Sequence, residues 1–165
     1  MKGMLLLALV AGGGLLFFGC AAMHQGSAQT DYAQGRLDDA ASEIQSALAS
    51  DPDNLQLKHL AAKIFTARGV RSYQGGQMVA ASDDFHRAID YYPTDAQPYD
   101  YLGLIAFSQH DWRDALRYGS QAAGLAGKPD PGYVHQAREE LRRGQSGNPG
   151  VRRGRRPQNW SSQTQ

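Results

Sequence analysis

The chain has 165 residues, a mean hydropathy of −0.52, one cysteine and a net charge of +1; this leaves room for one compact domain of modest core and excludes an intramolecular disulfide. The near-neutral sum hides two opposite halves, since residues 20–141 carry 10 basic and 16 acidic groups while residues 142–165 carry six Arg and no acid. Such asymmetry marks a basic tail on an acidic body.

The first element reads as a targeting segment. Met1-Lys2 gives a positive start, Met4 to Phe18 is almost wholly apolar, and Gly19-Cys20 places a small residue before a thiol. This resembles the signal peptide of bacterial lipoproteins, which is cleaved just before a cysteine that is then lipidated. Phe17 and Phe18 stand where that family usually has Leu and then Ala or Ser. The resemblance implies that residues 1–19 are the signal peptide, that Cys20 is lipidated, and that residues 20–27 form a short linker. Ala21 in second place implies export to the periplasmic face of the outer membrane. The alternative is an uncleaved anchor in the inner membrane, because residues 3–22 come close to the ~20 apolar residues of a spanning helix. Against it, Gly12, Gly13 and Gly14 each weaken a helix by ~1 kcal/mol relative to Ala.

The middle of the chain repeats itself. Ala40, Ile44, Ala47 and Pro52 share their spacing with Ala81, Phe85, Ala88 and Pro93, 41 residues on; a third set starts at Ala115, 34 residues after Ala81, with Gly119 in the bulky place and Ala122 in the second small place. Upstream of each set a helix ends at Gly35, Gly76 or His110, followed by Leu37, Met78 or Trp112. Each unit therefore reads as helix, tight turn, helix. Phe65 and Gly69, then Tyr99, Leu102 and Gly103, occupy the opening helices of the second and third units. The arrangement resembles the tetratricopeptide repeat, whose period is about 34 residues, and the resemblance covers about residues 28–127. Small residues are needed where antiparallel helices cross, which assigns that place to Ala40, Ala81 and Ala115. Bulky Ile44 and Phe85 fill the space towards the next helix, and Pro52 and Pro93 close their units. The second unit needs a long opening helix, about Asn54 to Gln74, to absorb its seven extra residues.

A further helix over about 131–143, with Asp130 as N-cap and Pro131 in first position, caps the last repeat, which would otherwise expose an apolar face. The expected fold is all-α, a short solenoid of three helix-turn-helix units and a C-terminal capping helix over residues 28–143. Residues 144–165 are polar and Arg-rich and are expected to be disordered. Within them Arg152, Arg153, Arg155 and Arg156 could hold an anionic surface such as phospholipid head groups, lipopolysaccharide phosphates or the acidic body itself.

No catalytic constellation is legible, so the chain is expected not to be an enzyme. The five histidines are scattered without acidic partners at metal-ligand spacing, Gly75-Gly76 lacks the Lys-Ser/Thr of a phosphate loop, and no metal or cofactor is expected. Asp38-Asp39 and Asp83-Asp84 fall on early helical turns and read as solvated groups favoured by the helix dipole. The resemblance to lipidated tetratricopeptide proteins, pilotin-like and envelope-assembly lipoproteins among them, implies a membrane-anchored scaffold for another envelope protein or peptide segment. It gives no role to nucleic acid. A structural tether between a membrane and an anionic surface, or an accessory subunit of a cell-wall enzyme, are the alternatives. In this repeat family the binding groove is lined by the first helix of each unit, which puts Tyr32, Tyr73 and Phe107 at equivalent positions three residues before the turn. Arg36, Val70, Gln74, Gln77, Asp100, Leu104, Ser108 and Asp111 are expected to flank them.

Overall fold

The computed structural model describes the backbone of residues 10–146 and the side chains of residues 21–145. Over the described residues the chain is all-α, with helices α1 (Val10–Ala33), α2 (Leu37–Ser50), α3 (Leu55–Gln74), α4 (Met78–Tyr91), α5 (Ala96–Ser108), α6 (Trp112–Ala126) and α7 (Gly132–Ser146). The closest pairings are α1 with α2, α3 with α4, and α5 with α6; α7 packs on α6. This is a solenoid of three helix-turn-helix units with a closing helix. Among the described residues no helix is long and apolar enough to cross a membrane.

The tight turn inside each unit has one recurring geometry. Gly35 and Gly76 each have φ +74° and His110 has φ +61°. Two residues fold the helix end back on itself each time: the Gly35 and Arg36 amides donate to the Tyr32 and Asp31 carbonyls, Gly76 and Gln77 to Tyr73 and Ser72, and His110 and Asp111 to Phe107 and Ala106. These bonds satisfy carbonyls that a helix end leaves without partners. The left-handed conformation suits Gly, and His110 adopts it while its ring lies edge-on to Trp112 with centroids 4.9 Å apart.

Packing across each pair alternates small against large. Ala40, Ala81 and Ala115 are fully buried, as are Ile44 and Phe85. A Cβ on Gly69 would lie 2.7 Å from the Phe85 ring, so the glycine of α3 is what lets that ring lie against the helix. The third unit has Gly119 where the others have Ile44 and Phe85, and α7 supplies the missing bulk. A Cβ on Gly119 would come within 2.2 Å of Val134 Cγ2 and 2.7 Å of the Tyr133 hydroxyl. Val134 and Ala137 are fully buried there. The long opening helix of the second unit is present, since α3 has 20 residues to the 13 of α5, and Asn54 caps it by accepting from the Gln56 and Leu57 amides.

Four expectations need correction. Residues 20–27 are helical rather than a linker, because Ala21 and Ala28 are buried and His24 Nδ1 lies 2.6 Å from Glu43 Oε2 of α2. The closing helix starts at Gly132, and the Pro131 carbonyl takes the capping place by accepting from the His135 amide; Asp130 instead accepts from Arg138 at 2.8 Å, which holds its carboxyl below the usual range. That helix also runs on to Ser146, into the segment expected to be disordered. Finally, Asp84 is buried rather than solvated, because Arg68 takes up both its oxygens.

Candidate functional site

The opening helices of the three units leave a hollow between them. Tyr32 of α1, Lys63, Thr66, Ala67 and Val70 of α3, and Asp95 and Gln97 at the start of α5 line it. Their positions on α3 lie three or four residues apart, so they share one helix face. Ala67 leaves the middle of that face shallow. Thr66 is buried, and among the described residues its hydroxyl oxygen has no hydrogen-bond partner. A buried hydroxyl without a partner costs about 1–3 kcal/mol. Asp95 is the N-cap of α5 and accepts from the Gln97 amide at 3.0 Å. The lining thus offers an exposed ammonium, a hydroxyl, an amide and the apolar edges of Tyr32 and Val70.

Of the residues expected to form the groove, Tyr32 and Val70 line this hollow and the rest lie elsewhere. Tyr73 packs in the core around Phe85 and meets Tyr101 edge-on with centroids 5.2 Å apart. Phe107 packs beside Ala115 and Ala137, against Trp112 and Tyr133. The three equivalent aromatics therefore sit against three separate core clusters. Arg36 is bonded to Asp31 and Gln34 in its own turn. Asp100 accepts from the Tyr133 hydroxyl at 2.9 Å, Asp111 caps α6, and the Ser108 hydroxyl donates to the Ile105 carbonyl. Gln74 is exposed at the end of α3, and Leu104 is half-buried on α5. Sequence reasoning missed Lys63, Thr66, Ala67, Asp95 and Gln97. Thr66 carried a readable signal, as a polar residue inside the otherwise apolar run of Ile64, Phe65 and Ala67.

A second hollow, where α2 and α4 meet α3, contains Gln77 together with Asp38, Arg68, Arg71, Asp83, Asp84 and Arg87. Its charges are largely spent on each other. Arg68 donates through Nε and Nη2 to the two Asp84 oxygens at 2.8 and 2.6 Å, and Arg71 donates to Asp38 at 2.7 Å. The Asp84 carboxylate pushes the Arg68 pKa up, keeping it charged. Arg87 lies over the Phe65 ring, 5.5 Å from its centroid. This network ties the first unit to the second.

Histidines are dispersed: beyond His24 and His110, His59 lies against Tyr92 and His86 against Tyr118, and His135 is near Arg138. Among the described residues no group of three His, Cys, Asp or Glu side chains is placed to hold a metal ion. Cys20 falls within α1, but its side chain lies outside the described ones, and Arg152, Arg153, Arg155 and Arg156 lie outside the described residues altogether.

No family model matches the chain, and no curated protein matches it. Among solved structures it is similar to the crystal structure of MamA protein, at 17% identity and a TM-score of 0.43 over 74% of this chain and 82% of that one. It is also similar to the crystal structure of the Sgt2 TPR domain from Aspergillus fumigatus, at 15% identity and a TM-score of 0.43 over 86% of this chain and 90% of that one.

Proposed function

We propose that the protein is a membrane-anchored scaffold that holds a segment of another envelope protein in the hollow between α1, α3 and α5, with Cys20 as the lipidated attachment point. The observation that carries this reading is the lining of that hollow, where the exposed Lys63 and Gln97 stand beside Tyr32 and Val70. An extended peptide brings carbonyl and amide groups in alternation, and those are the groups that a hydroxyl, an ammonium and an amide can satisfy. Ala67→Trp fills the hollow from the middle of its α3 face and leaves the main pairings α1 with α2, α3 with α4 and α5 with α6 in place. It is expected to abolish capture of the partner from intact envelopes while leaving the melting temperature close to the parent; undiminished capture rules out this hollow. For the anchor, incorporation of a labelled fatty acid is expected in the parent and lost in Cys20→Ser. Equal labelling of the two proteins would remove Cys20 from that role.

A second reading, the structural tether, draws support from where α7 ends. Leu141 of α7 lies with His110, Asp111, Trp112 and Arg113 at the edge that carries the tight turns. Cys20 lies on α1 towards the opposite edge, so the Arg-rich tail starts away from the anchor. That separation supports the reading in which the tail holds a different anionic surface.

A further inference from the structure

We infer that the edge of the solenoid formed by the connections between units is a membrane-contact surface, which seats the domain on the lipid bilayer and points its tight turns away from it. This rests on the anchored reading given above.

The helices alternate in direction, so every helix end falls on one of two edges. The turns at Gly35, Gly76 and His110 share one edge. On the other lie the start of α1's packed half, the ends of α2, α4 and α6, and the starts of α3, α5 and α7. Two observations confirm the sharing: His59 near the start of α3 lies against Tyr92 at the end of α4, and Asp95 and Ala96 border one hollow with Ala126, Lys128 and Pro131.

The exposed large hydrophobic side chains divide unevenly between the edges. Among the described residues, Met23 (64% exposed), Leu55 (74%), Tyr92 (41%) and Leu125 (40%) are on the connection edge, and Val79 (77%) alone is on the turn edge. Several helices thus each place one apolar or aromatic tip on the same edge, at neighbouring-helix spacings of ~8–10 Å. The turn edge instead carries Arg36, Asp38, Asp39, Arg71, Asp111 and Arg113.

What covers the connection edge follows from where α1 leads. α1 is continuous through Cys20 back to Val10, and the residues before Cys20 are the apolar run ending in Leu15, Leu16, Phe17 and Phe18. Ala21 is buried and His24 is tied to Glu43, so no flexible linker separates the anchor from the packed helices. Whether the anchor is a lipid on Cys20 or the apolar run itself, it brings this edge against the bilayer. The edge's charges suit a contact driven by apolar tips rather than by attraction to anionic lipid: Lys58 pairs with Asp53 at 3.5 Å and Asp130 with Arg138 at 2.8 Å, and Asp51, Asp90 and Asp95 leave an acidic excess over Lys128. Isolated Leu and Met tips with a Tyr among polar groups match the headgroup boundary, where apolar ends are buried and polar ends stay wet.

The test uses full-length protein, purified from membranes of producing cells and reconstituted in phosphatidylethanolamine–phosphatidylglycerol vesicles with and without bromine on the acyl chains. Three variants, Leu55→Trp, Leu125→Trp and Val79→Trp, are compared with the parent, whose own emission comes from Trp112 and Trp160. The added emission of Leu55→Trp and Leu125→Trp is expected to shift to the blue and to be lost in brominated vesicles, and that of Val79→Trp is expected to persist. If the protein floats with the vesicles while Leu55→Trp and Leu125→Trp are quenched no more than Val79→Trp, the contact surface is refuted and the anchor stands. If the protein does not float with them, the anchored reading fails and takes this inference with it.

Discussion

Residue by residue, the solenoid depends on pairing a small side chain with a large one across each helix crossing, and the third unit shows how strict that rule is. Gly119 leaves a gap that Val134 and Tyr133 of α7 fill. A Leu at Gly119 would collide with both, so Gly119→Leu is expected to cost about 1–3 kcal/mol by overpacking, read as a lower melting temperature. Earlier hydrogen exchange in α7 than in α3 would place the loss at that contact, and unchanged stability would mean that α7 does not fill the gap. The alanines at the crossings and Phe85 were legible in the sequence because their spacing repeats. The reason for Gly119 was not, because its partner lies on a helix outside the repeat. Thr66 and Asp84 were misplaced or missed for a related reason: local spacing says which face of a helix a residue occupies but not which neighbour that face meets. Asp84 is buried only because Arg68, 16 residues away, reaches both its oxygens.

At the level of elements, turns and helix lengths were readable because they depend on local chemistry. Gly in a left-handed turn and Asn54 as a cap are such signals, and the seven extra residues of α3 follow from the changed repeat interval. Element limits set by tertiary contact were not readable. α1 extends through 20–27, with Ala21 and Ala28 buried and His24 tied to Glu43 of α2, although the lipoprotein resemblance implied a linker there. The docking of α7 also carries a pH dependence. Burial first, and then the hydrogen bond to Asp100, push the Tyr133 pKa well above its ordinary value of 10.0. The folded state therefore favours the protonated phenol. That contribution is fully present below about pH 10 and is lost as pH rises through the raised Tyr133 value. Melting temperatures followed upward from pH 9 are expected to fall less steeply for Tyr133→Phe than for the parent. A slope would remain, because burial raises Tyr99 as well; identical slopes would show that Tyr133 is not the group responsible.

For the whole molecule, two of the hollows between the stacked units are unlike, and charge distinguishes them. Where α2 and α4 meet α3, arginines and aspartates largely neutralise one another, so an entering partner would have to break ion pairs. Between α1, α3 and α5 the polar groups are fewer, and one of them, the Thr66 hydroxyl, is unsatisfied within the described residues. The expected aromatic column was reasonable from register, since equivalent positions in a solenoid recur in space. Tyr73 and Phe107 were instead drawn into core clusters by Tyr101 and Tyr133, contacts that register alone does not contain. The central claim, that a partner segment lies in the α1–α3–α5 hollow, is tested most directly by site-specific photocrosslinking in intact cells. A benzophenone amino acid is placed at Lys63, or at Asp83 beside the ion-paired hollow, both exposed positions. A discrete crosslinked species is expected from Lys63, abolished by Ala67→Trp, with none from Asp83. Crosslinking from Asp83 and none from Lys63 would contradict the account.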